Sequence, residues 1–90
     1  MNDIRINEIN NTLYIAKNIE VRGNVYSVCL VQGESNYVSI RKETNNPFKG
    51  LGTSFKNFDE AIKHYKIPEM KFYLSLLENE FKQISKHTKL

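Results

Sequence analysis

Tryptophan is absent from this chain, and 90 residues contain only one cysteine, two prolines, two alanines and four glycines. A lone cysteine, Cys29, makes no internal disulfide and builds no cysteine-based metal site. No unbroken apolar run is longer than the four residues of Val28–Val31, whereas a membrane-spanning helix needs about 20 such residues. A soluble protein with no membrane partner is therefore expected. The opening residues, Met1 to Arg5, show no apolar run and no small-residue cleavage site, so residence in the cytoplasm is the expectation. No P-loop, nucleophile elbow or HExxH pattern occurs. These absences point to a non-catalytic protein that needs no cofactor and no metal.

What is present is ordinary globular composition, with 40% hydrophobic and 26% charged residues. That length and composition suit a single domain over 1–90, β-rich over 1–56 and helical over 57–87. Thirteen basic residues against ten acidic ones give a net charge of +3, which permits contact with nucleic acid without the dense stripe of a dedicated binder. Asn, Lys and Ile are over-used, and all three have codons rich in A and T, so the skew carries no mechanistic weight. A core this small makes self-association a natural supplement, and a homo-oligomer is expected.

The first half reads as strands. Leu13, Ile15, Lys17, Ile19 and Val21 alternate with Tyr14, Ala16, Asn18 and Glu20, a period of two with one buried face. Lys17 breaks the apolar set and suggests a bend or bulge near Lys17-Asn18. Gly23-Asn24 suits the two central positions of a type II′ hairpin turn. Reflection about it sets Val21 opposite Tyr26, Ile19 opposite Val28 and Lys17 opposite Leu30. Val25 to Gln32 forms the next strand. Tyr37 to Glu43 forms another, with Val38 and Ile40 on one face and Tyr37, Ser39 and Arg41 on the other. Register follows the hydrophobic set, so a loop of odd length is preferred, placing Ile40 beside Val28 and Val38 beside Leu30. A short strand over Thr53 to Lys56 closes the sheet, and Ile4-Arg5-Ile6 adds an edge strand or an N-terminal arm.

The second half reads as two helices. Asn57 with Glu60 forms a capping-box arrangement, followed by Phe58, Ala61, Ile62 and Tyr65 on one stripe. Pro68 ends that helix and opens the next. There Met70, Leu74, Leu77, Phe81 and Ile84 recur at spacings of four and three, and Tyr73 and Leu76 widen the stripe. That spacing fits the chain's own sheet or the same helix of a second subunit. The expected class is α+β: an antiparallel sheet of four to five strands, a meander, followed by two C-terminal helices, with barrel-like closure as the competing layout.

Chemistry-bearing residues are sparse. Cys29 lies mid-strand between apolar neighbours and reads as a small buried hydrophobe. His64 and Glu60 share a helix face but find no third metal ligand nearby. Lys49-Gly50-Leu51-Gly52 looks like a fragment of a phosphate cradle but precedes a strand where a cradle precedes a helix. The strongest candidate is the second sheet face, which carries Tyr14, Arg22, Tyr37 and Arg41, with Lys42, Phe48, Lys49 and Lys56 close by. Aromatic rings interleaved with cations are how sheet-based modules hold single-stranded nucleic acid. The same face would also serve as a subunit interface. The layout, a curved antiparallel sheet followed by helices, resembles small dimeric single-strand-binding domains of the transcriptional-coactivator type, and that resemblance is one of layout, with no residue carried over. The leading expectation is a small accessory protein that binds single-stranded nucleic acid. The alternative is an oligomeric protein-interaction or structural module that binds none.

Overall fold

Paired asparagines set the first corner. Asn10 and Asn11 both take positive φ, 51° and 62°, the dihedral pattern of a type I′ turn, whose twist matches that of the strands it joins. The computed structural model, which describes residues 4–43 and 52–87, places β1 (Arg5–Ile9) and β2 (Thr12–Val21) on either side of that turn. The chain then continues through β3 (Asn24–Gln32), β4 (Tyr37–Lys42) and β5 (Thr53–Phe55) into α1 (Phe58–His64) and α2 (Pro68–His87). The five strands lie in sequence order, each antiparallel to its neighbour, and β1 does not pair with β5. The sheet is an open meander, so the barrel-like layout does not form.

The second corner differs from the sequence expectation. Arg22 and Gly23, not Gly23 and Asn24, are the central residues, with φ of 52° and 80°. That is again the type I′ pattern, and it sets Val21 opposite Asn24, Ile19 opposite Tyr26 and Lys17 opposite Val28. The ladder is therefore shifted by two residues from the type II′ register. Because the side-chain period is also two, the residues within β2 and β3 keep their expected faces, and only Arg22, now in the turn, leaves its own. Gly23 sits in open space, so only its dihedral demands glycine there. The third corner follows expectation. Five residues separate Val31 from Tyr37, and Ile40 pairs with Val28 and Val38 with Leu30. The Gly33 amide donates to Asn36 Oδ1 at 3.0 Å and ties this loop together.

Lys17 makes no bulge. β2 pairs without interruption, and Lys17 stays on the buried face because its ammonium reaches Glu80 of α2 at 3.0 Å. Its apolar stem packs while its charge is met at the edge of the helix.

The helices cover one face of the sheet. Asn57 caps α1, its Oδ1 accepting from the Glu60 amide at 2.9 Å. Lys71 Nζ donates to the Ile62 carbonyl at 2.7 Å near the other end of α1, and Tyr65 turns extended before Pro68 starts α2. Met70, Leu74, Leu77 and Phe81 of α2 join Phe58 and Ala61 of α1 over Leu13, Ile15, Ile19, Val21, Val28, Leu30, Val38 and Ile40. Phe58 meets Phe81 edge-on at 6.0 Å. Tyr73 and Leu76 do not join the core and remain exposed. No described helix is long and apolar enough to cross a membrane.

Candidate nucleic-acid interface

With the helices on one face, no element among the described residues packs on the other. Its composition follows from the ladders. One row across the sheet is Asn7, Tyr14, Val31 and Tyr37. The next is Arg5, Ala16, Cys29, Ser39 and Ser54. A third contains Asn18, Ser27 and Arg41. The face thus has small side chains along its middle, aromatic rings toward the end with the β1–β2 and β3–β4 connections, and arginines elsewhere.

Val31 is the informative residue. It is only 5% exposed, yet it stands outside the core cluster on the uncovered face. Its cross-strand neighbours are Tyr14 and Tyr37, which are themselves half-buried. The two tyrosines flank Val31 in one cross-strand row, with backbone anchors two strand spacings apart, about 10 Å.

The candidate residues divide by where their strands aim them. Tyr14, Tyr37 and Arg41 share the open face. The Arg41 guanidinium lies 3.5 Å from Glu43, with both side chains about half exposed. A pair in that setting is worth about 0–1 kcal/mol, so a phosphate can compete for Arg41. Arg22 does not join them. As the first residue of the turn it swings to the helix side, where Nε and Nη2 both donate to Glu69 Oε1, at 3.0 and 2.8 Å. That hydrogen bond and the accompanying charge hold Arg22 above its ordinary pKa, and the bond from Arg22 holds the Glu69 carboxyl below the usual glutamate range. The carboxylate's stabilising contribution is present above that range and fades as acid protonates it. Lys42 pairs opposite Tyr26 and so belongs to the helix side. Lys56 lines a groove with Asn57, Phe58 and Lys82, also on the helix side. Phe48 and Lys49, with the rest of the glycine-bearing stretch up to Leu51, lie outside the described residues.

The sequence reading missed Arg5. Its guanidinium sits on the open face and donates to Asn18 Oδ1 at 2.9 Å. The available signal was the Asn10-Asn11 pair, which predicts a tight hairpin and so a full-length β1 with Arg5 and Asn7 on the tyrosine side.

Other reactive groups have structural explanations. Burial pushes the Cys29 thiol above its ordinary pKa, with Arg5 pulling it partly back, so at neutral pH it is a protonated thiol and a poor nucleophile. His64 meets Tyr65 edge-on at 5.0 Å and Phe55 at a tilt at 5.1 Å. Among the described residues no three His, Cys, Asp or Glu side chains cluster to hold a metal ion. Compared with family models, curated proteins and solved structures, the chain matches none of them.

Proposed function

We propose that this chain is a small non-catalytic accessory protein that holds single-stranded nucleic acid on its open sheet face. The observation that carries the reading is the Tyr14–Val31–Tyr37 row on a face no described element covers, with Arg5 and Arg41 on the same surface. Bases stack on the rings, and the guanidiniums meet phosphates. The small central side chains, Ala16, Ser27, Cys29 and Ser39, let a backbone pass close to the sheet.

The test is fluorescence anisotropy of a labelled single-stranded oligonucleotide titrated with protein at several salt concentrations. Affinity is expected to fall as salt rises, with a logarithmic slope of about −0.7 for each phosphate contacted. Arg41→Ala is expected to weaken binding at low salt and to flatten that slope by about 0.7. Absence of binding at low salt and high micromolar protein would overturn the proposal.

A second reading, assembly, has its own observation. Phe72, Tyr73 and Leu76 of α2 are 60%, 38% and 49% exposed. Tyr73 and Leu76 line a groove of about 400 Å³ with Ile19 and the Lys17–Glu80 pair. Such a stripe suits the same helix of a second copy. It lies on the helix side, so assembly there leaves the tyrosine row open. Sedimentation equilibrium is expected to show a mass above 10.5 kDa that rises with concentration, and a constant monomer mass would remove this reading.

A further inference from the structure

The tyrosine row ends in a cleft of about 550 Å³. It forms where the Asn10-Asn11 turn and the β3–β4 loop emerge at the same end of the sheet. Tyr14, Val31 and Tyr37 make its floor. Asn10, Asn11, Thr12, Glu34 and Ser35 make its rim. A volume of this order is that of a small-molecule site, and the lining sets two rings and a valine beside five residues that can hydrogen-bond.

We propose that this cleft is a nucleobase pocket that selects guanine from a single strand, an inference that rests on the single-strand reading above. The floor supplies stacking, which every base can use. Selection comes from the rim, where Glu34 is the one ionised group and its carboxylate only accepts hydrogen bonds. Guanine offers that carboxylate two adjacent donors, its imino N1–H and its amino group. Cytosine and adenine offer an amino group alone. Thymine and uracil offer one imino N–H between two carbonyl oxygens, and the carboxylate repels both oxygens. The Asn10 and Asn11 carboxamides and the Thr12 and Ser35 hydroxyls both donate and accept, so they accommodate the remaining edge atoms without ranking the bases.

The same carboxylate fixes how the strand lies. It repels phosphates from the cleft, while Arg41 attracts them from four residues further along β4, about 13 Å from Tyr37. The base end of a nucleotide therefore enters the cleft, and the backbone runs toward the arginines.

The probe is an oligothymidylate of about 12 nucleotides, compared with the same oligomer carrying one central guanine, adenine or cytosine. The expected result is about tenfold tighter binding of the guanine oligomer than of the all-thymine one, with adenine and cytosine between them. In Glu34→Ala the ratio of guanine to thymine affinities is expected to fall to about one. Glu34 is an exposed loop residue, so the variant is expected to keep the circular dichroism spectrum of the unmutated protein. Equal affinities for all four oligomers in the unmutated protein would overturn the pocket while leaving the single-strand reading standing. A guanine preference that survives Glu34→Ala would overturn the role of the carboxylate. Failure to bind any of the four would remove the single-strand reading and this inference with it.

Discussion

Phe81→Ala is expected to destabilise the protein by about 3–5 kcal/mol, the range for deleting a fully buried aromatic ring. Phe81 is 0% exposed and is the largest side chain buried to that degree. It projects from α2 into the core and meets Phe58 of α1, so its removal opens a cavity where both helices and the sheet join. For a chain of this size each kcal/mol moves the melting temperature by about 4–8 °C, so a fall of more than 10 °C is expected. Urea unfolding followed by circular dichroism measures the loss directly. A control substitution at an exposed position of the same helix, Gln83→Ala, is expected to stay within about 0.5 kcal/mol. If Phe81→Ala costs no more than Gln83→Ala, α2 is not docked as described.

Most of this architecture is legible in the sequence because it is written in period. The odd-numbered run from Leu13 to Val21, the pair Val38 and Ile40, and the four-three spacing from Met70 to Phe81 each identify a buried face without reference to any other element. The core of the folded chain joins the apolar residues of those faces to Val28 and Leu30 of β3 and to Phe58 and Ala61 of α1. The β3–β4 register was legible for the same reason, since only a loop of odd length brings Ile40 to Val28. What the period does not carry is turn chemistry. A shift of two residues preserves every face, so nothing in the hydrophobic pattern separates the Gly23-Asn24 turn from the Arg22-Gly23 turn that forms. The turn that forms puts Arg22 at a positive φ of 52°. That choice also decides where Arg22 points. A residue expected beside the tyrosines is turned toward Glu69 instead. Lys17 shows the same limit. A cation in an apolar stripe reads as a flaw until α2 brings Glu80 across from far along the chain. The tyrosine row depends on the same turn: the Gly23-Asn24 register would set Ala16 across from Val31, and the Arg22-Gly23 turn is what brings Tyr14, Val31 and Tyr37 into line.

Simultaneous Tyr14→Ala and Tyr37→Ala substitution is expected to lower affinity for a single-stranded oligonucleotide by about 100-fold or more. Each ring that stacks a base contributes about 1–3 kcal/mol by alanine substitution, which is roughly tenfold at the low end. The two anchors are about 10 Å apart, near the distance at which separate effects begin to add. They flank the same residue, Val31, so the loss in the double variant is expected to be close to the sum of the single ones. The salt dependence separates this effect from that of Arg41. Stacking releases no counterions, so the double variant is expected to bind weakly with an unchanged salt slope, whereas Arg41→Ala changes the slope itself. Tyr14→Phe with Tyr37→Phe discriminates further. Phenylalanine keeps the ring and loses the hydroxyl, so near-normal binding is expected from a stacking platform. If the phenylalanine pair binds as poorly as the alanine pair, the hydroxyls make the contact and the stacking model is wrong. If the alanine pair binds as tightly as the unmutated protein, the strand does not lie on this face at all, and the proposal that single-stranded nucleic acid occupies the open sheet fails with it.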